Sequence, residues 1–146
     1  MTAPASVEDR IAIADVTHAY CWALDSKQFD LLDEVFLPNA TAELLSPLLE
    51  GRDTIRDRIR TALTPLDATQ HIVTNHIVTV DGDSATCQCY LHAQHVRAGT
   101  AGGDLFVIAG RYEDKLVRTS NGWRIVFRRL VQVWSDGNVE AVRPRG

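Results

Sequence analysis

Two side chains in this sequence stand out for moving a proton near neutral pH, His71 and Asp25. Taking a proton from carbon beside a carbonyl or a leaving group calls for a base such as imidazole, whose reference pKa is ~6.5. His71 is therefore read as a general base. Asp25 has two readings. In Asp25-Ser-Lys-Gln28 it fits a capping box for a following helix, with Gln28 reaching back. Its carboxylate could instead orient a histidine and stabilise the imidazolium formed on proton transfer.

Three other groups have weaker claims. His92 and His95 form H-x-x-H, which would suit a metal pair on a helix. On a strand, residues three apart face opposite sides, so no metal site is expected. His95 shares a strand face with Cys87, Cys89, Leu91 and Ala93, an apolar set that points to a pocket. It could protonate a departing hydroxyl there, or sit near solvent at the strand end. Tyr20 precedes Asp25 by five residues, about 140° around a helix. Both flank one pocket only if it lies over the helix end, where the phenol could bond a substrate oxygen; otherwise Tyr20 is core. Arg128-Arg129 place one side chain inside and one outside, and an inward arginine needs an anionic partner. Asp104, Glu113 and Asp114 read as solvated charge at strand edges, and Trp22, Trp123 and Trp134 as core or interface.

These residues need elements to hold them. Ser6 followed by Asp9 starts a helix over about 7–24, with Ile13, Val16, Tyr20, Ala23 and Leu24 at helical spacing. A short helix over about 27–36 carries Phe29, Leu32 and Phe36 on one face and stops at Pro38-Asn39. A third, about 52–63, sets Ile55, Ile59, Ala62 and Leu63 against arginines and Asp57. From His71 the residues become β-branched. Strands are expected over 72–80, 85–96, 105–117 and 123–134, with Asp81-Gly82 and Asn121-Gly122 as hairpin turns. Three helices before an antiparallel meander predict an α+β domain, a curved sheet wrapped against the helices.

The 146 residues suit a single domain, with its ordered core at about 7–134. A 45% hydrophobic and 23% charged composition excludes disorder and rod-like repeats. A net charge of −4 with no long basic run leaves no reason to expect nucleic acid or anionic lipid as a partner. Three cysteines without a C-x-x-C pair fit a reducing cytoplasm. Met1–Ser6 lacks a basic leader, and Leu105–Ala109 is the longest purely apolar run, so neither a signal peptide nor a membrane span is expected.

Three segments carry a family resemblance: Tyr20 to Asp30, Thr69-Gln-His71-Ile-Val-Thr-Asn75, and Ile108-Ala-Gly-Arg-Tyr112 running to Gly122-Trp123-Arg-Ile125. With them the chain resembles the SnoaL-like branch of the nuclear-transport-factor-2-like superfamily from about residue 7 to 134. The resemblance implies a cone-shaped α+β barrel, in which three helices and a strongly bent sheet enclose one deep apolar pocket. Within the branch the chain is similar to three elimination enzymes: scytalone dehydratase, hexachlorocyclohexane dehydrochlorinase and bile acid 7α-dehydratase. The resemblance pairs Asp25 with His71 as a dyad. It sets Tyr20 at a tyrosine of the bile acid enzyme and His95 at the second catalytic histidine of scytalone dehydratase. Leu24 and Leu44 stand where the latter has two tyrosines, and Arg128 where the dehydrochlorinase has an arginine, with Arg129 able to take that place after a one-residue slip. The activity implied is a cofactor-free lyase, a dehydratase acting on a small hydrophobic cyclic molecule. Asp25, His71, His95 and Tyr20 are its catalytic candidates; Arg128, Cys89, Leu24, Leu44 and Trp22 are its substrate-binding candidates. The rivals are a proton-shuttling isomerase and a non-catalytic module such as a dioxygenase β subunit. A sheet face left uncovered in so small a domain predicts a homodimer or homotrimer.

Overall fold

The computed structural model describes residues 4–145. Part of Met1–Ser6, on which the leader expectation rests, therefore lies outside the described residues. The first helix, α1, spans Val7–Asp25. The Ser6 side chain accepts the Asp9 N–H at its start, and Ile13, Thr17, Tyr20, Cys21 and Leu24 are buried along one stripe. Its far end is a Schellman motif: Gln28 N–H bonds the Ala23 carbonyl and Lys27 N–H the Leu24 carbonyl. Lys27 holds the left-handed position with φ 55°. Its ammonium is bonded to the carbonyls of Thr64 and Leu66, tying the end of α1 to the end of the next helix.

The second helix expected over 27–36 is only a 3₁₀ segment, Phe29–Glu34, after which Phe36–Leu44 runs as strand β1. Pro38-Asn39 lies inside that strand instead of ending a helix. A two-residue strand β2 (Leu49–Glu50) leads into α2 (Arg52–Leu63), which buries Ile55, Ile59 and Leu63. Four long strands follow: β3 (Ala68–Asp81), β4 (Ser84–Val96), β5 (Leu105–Thr119) and β6 (Gly122–Gly137). The six-stranded sheet has the order β2-β1-β6-β5-β4-β3, antiparallel except where β1 runs parallel to β6. It curls around the helices, with α1 packed on β3 and β6, giving the cone-like α+β architecture. Among the described residues no helix is long and apolar enough to cross a membrane.

Two irregularities decide which side chains point inward. In β3, Asn75 and His76 lie opposite the single residue Cys89, and Asn75 has φ 59°. The alternation that turns Thr69, His71 and Val73 inward is thereby reset, so His76, Val78 and Val80 follow. In β6, Val126 is the extra residue between the pairs of Leu116 with Ile125 and Lys115 with Phe127. Beyond it Arg128 points into the core instead of Arg129. The strands crowd at Gly110, where an added Cβ would stand 1.9 Å from the Val131 carbonyl oxygen.

The ordered chain also extends past residue 134. Strand β6 continues to Gly137, and a 3₁₀ turn at Val139–Ala141 buries Ala141 completely. Asn138 fastens this end by donating to the carbonyls of Ala101 and Gly103 at 2.9 and 2.8 Å.

Candidate active site

The Schellman motif leaves the Asp25 carboxylate free of capping duty, and it crosses to β3 instead. His71 is the fourth residue of that strand, which begins at Ala68, and lies in register with Ala93 of β4. Three donors converge on the carboxylate. The Thr69 hydroxyl donates to Oδ1 at 2.9 Å, the His71 backbone N–H to Oδ2 at 2.8 Å, and the His71 ring through Nδ1 to Oδ1 at 2.6 Å. Burial would raise the pKa of Asp25, but the bonds from His71 and Thr69 outweigh it and hold the carboxyl below its ordinary value. With Nδ1 committed to Asp25, Nε2 is the ring nitrogen without a protein partner among the described residues.

That ring borders a cavity of about 240 Å³ enclosed by α1, α2, β1 and the inner sheet face. Leu24, Leu44, Ile59, Leu63, Ile108 and Leu130 make its walls apolar. Tyr20, Tyr112, His71 and His95 contribute polar groups, and Val142 from the C-terminal turn joins the rim. The rings of His95 and His71 meet edge to face with centroids 5.9 Å apart. His95 donates from Nδ1 to the Phe106 carbonyl at 3.2 Å. Burial and the neighbouring His71 lower its pKa, so it is a neutral imidazole at pH 7 with its second nitrogen an acceptor. His92 lies on the other face of β4 against Trp134, at 5.7 Å between rings.

The other expected residues divide. Tyr20, Leu24 and Leu44 line the cavity. Trp22 does not: it is 75% exposed, because the inward stripe of α1 passes through Cys21 and Leu24. Cys89 lies in the core instead of on the cavity wall, with burial pushing its thiol up to about 11. Arg128 is fully buried and is held by Asp114 through two bonds of 2.7 Å. Its guanidinium carbon lies 4.3 and 3.8 Å from the ring centroids of Tyr20 and Tyr112. Burial would disfavour the charge on Arg128, yet the Asp114 carboxylate raises its pKa well above the ordinary value. Arg128 thus underpins two wall residues without reaching the cavity. Asp114, read from sequence as solvated, is its buried counter-ion.

A SnoaL-like domain model matches residues 5–129 of the chain. The chain belongs to the SnoaL-like family. A relative from Mycobacterium tuberculosis, an uncharacterized protein, is 33% identical over 130 residues, 88% of each chain. Among solved structures, this SnoaL-like domain is similar to a candidate aromatic ring hydroxylase from Novosphingobium aromaticivorans, with TM-score 0.85, 26% identity, and 95% and 99% of the two chains covered. Two further structures share its fold. One is a candidate scytalone dehydratase from the same organism, at TM-score 0.81, 22% identity and coverage of 96% and 95%. The other is a hexachlorocyclohexane dehydrochlorinase, at 0.78, 18%, and 89% and 88%.

Three participants in this SnoaL-like site escaped the sequence reading: Thr69, Tyr112 and Arg58. Thr69 shares the strand face of His71 two residues away, and Tyr112 shares that of Ile108, so alternation alone could have found both. Arg58 gives no such signal, because α2 carries four arginines.

Proposed function

We propose that this protein is a cofactor-free lyase, a dehydratase acting on a small one- or two-ring hydrophobic substrate. The observation that carries the reading is the 2.6 Å bond from His71 Nδ1 to Asp25 at the wall of an apolar cavity. It fixes the tautomer whose Nε2 lone pair is free to take a proton. In the proposed reaction Nε2 accepts a proton from a carbon next to a carbonyl. The C–H electron pair becomes the new double bond as the C–O bond breaks. The hydroxide leaves as water with the proton returned by the imidazolium. Asp25 stabilises that imidazolium while it lasts. Tyr20, whose pKa burial raises against the opposing charge of Arg128, stays protonated and can donate to the departing oxygen. Neutral His95 suits the role of acceptor, orienting the substrate hydroxyl, better than that of an acid. The cavity is smaller than the roughly 300–1,000 Å³ of sites for drug-sized molecules, hence the ring count.

The test is to screen hydroxylated one- and two-ring ketones for appearance of a conjugated alkene, and then to compare wild type with His71→Ala. A shifted double bond with no water lost would mark isomerisation. We also propose a homodimer or homotrimer through the outer sheet face, where Ile72, Ile77, Tyr90, Val133 and Trp134 are exposed. Light scattering at micromolar concentration showing a strict monomer would overturn it.

A further inference from the structure

The four arginines of α2 are not equivalent. Arg52 and Arg56 pair with Asp33 at 3.3 and 2.5 Å, and Arg60 with Asp30 at 3.1 Å. Arg58 has no carboxylate within 4 Å among the described residues, yet it is the arginine of the four that lines the cavity, one helical turn from Ala62. Among the described residues no carboxylate shares that lining. Asp25 stands behind His71 with both oxygens occupied, and His95 is uncharged at neutral pH. Among the described residues, the one formally charged side chain bordering the cavity is therefore a cation, in a protein whose net charge is −4. An unpaired cation beside low-dielectric walls attracts an anion more strongly than one on open surface. Leu45 also borders the cavity and holds the left-handed region at φ 54°, a strained conformation of the kind that gathers at ligand sites.

We propose that the substrate is a carboxylic acid whose ring lies in the apolar cavity and whose carboxylate is held by Arg58. This rests on the cavity being the substrate site of the lyase proposed above. A single guanidinium matches a planar monoanion, which it can bond through two parallel N–H groups, and leaves a phosphate dianion half neutralised. Anchors on different elements, Arg58 on α2 and His71 on β3, would fix which carbon meets Nε2.

Calorimetric titration with an isosteric pair tests this without turnover, using 2-naphthoate and the uncharged 2-naphthamide. Wild type should bind the acid about two- to fivefold more tightly, the range of an exposed ion pair. The preference should shrink as salt is raised from about 50 to about 500 mM. Arg58→Ala should level the two ligands and Arg58→Glu should reverse their order; the residue is exposed, so both variants should fold. Equal binding of acid and amide by wild type, a preference surviving in Arg58→Ala, tighter binding of 2-naphthyl phosphate, or no saturable binding of naphthoate would each overturn the proposal. His71→Ala should keep the acid preference. Loss of the lyase reading and loss of this one are thus separate results: the first shows in turnover, the second in the ratio of affinities.

Discussion

Asp114 and Asp25 each accept two bonds from a basic residue on another segment, Asp114 from the Arg128 guanidinium and Asp25 from the ring and the backbone N–H of His71, and they serve opposite ends. Asp114 and Arg128 are both fully enclosed, their side chains 0% exposed, with two 2.7 Å bonds and tyrosine rings against the guanidinium. Arg128 Nη1 has no bonding partner among the described residues. Asp25 and His71 sit beside the cavity with side chains 21% and 6% exposed, and one ring nitrogen has no partner among the described residues. The chemistry of the pairs is alike. What differs is whether a group with unused bonding capacity reaches space that a substrate can occupy. A sealed pair can only hold structure together, whereas an open pair can exchange a proton.

Substitutions should split along that line. The largest effect belongs to the open pair: His71→Ala and Asp25→Asn should each lower kcat by about 10²–10⁴-fold on any substrate found. If His71→Ala keeps more than about a tenth of wild-type kcat, the base is misassigned, since general-base removal costs at least about 10²-fold. Stability should change far less; Asp25→Asn loses acceptor capacity for three donors, a cost of about 1–3 kcal/mol. The sealed pair should behave in reverse. Asp114→Ala strands a buried guanidinium and should cost about 3–5 kcal/mol in urea unfolding, while replacing Asp114 and Arg128 together by Leu and Met should recover much of it. A double variant as unstable as the single would mean that the pair itself, and not the stranded charge, carries the stability.

Acid should sharpen the contrast more gently. The folded-state pKa of Asp25 is lowered, so its bonds contribute stability in full above the ordinary carboxylate range, and this is lost as pH falls through the folded value. Asp25→Asn should remove this part of the pH dependence of unfolding. The smallest effect should come from an exposed pair. The hydrogen bonds from Arg118 and Trp123 hold Asp9 down at about 2, so its contribution persists at neutral pH and fades between about pH 4 and 2. Arg118→Ala should lower the unfolding midpoint at pH 7 only slightly, and should flatten its fall between about pH 4 and 2 by that same small amount. A midpoint that drops sharply at pH 7 would show that Arg118 does more than pair with Asp9.

Local patterns carried much of this architecture. Ser6 with Asp9 and the apolar spacing of α1, the Asn121-Gly122 turn, and the alternation from Cys87 to His95 all reappear as read, because each is a property of neighbouring residues. The 27–36 stretch misled because its apolar residues suit a short helix, whereas Phe36 and the residues after it gain more by pairing with β6. Asp25 carried two local readings, and the contact found is the one the family resemblance implied. A capping box can be recognised within four residues, while the bond that claims the carboxylate comes from a residue 46 positions away.

By itself, then, the sequence determined the order of its elements, most of the inward-facing set and the pair of residue types able to move a proton. These follow from side-chain periodicity and from the intrinsic pKa of imidazole, which need no tertiary contact. Only the tertiary structure decided which arginine turned inward, since one extra residue at Val126 reverses the phase of β6. Only it buried Asp114 against Arg128, took Cys89 and Trp22 off the cavity wall, and left Arg58 unpaired beside that cavity. Those outcomes depend on distances between segments remote in the chain, which local spacing does not encode.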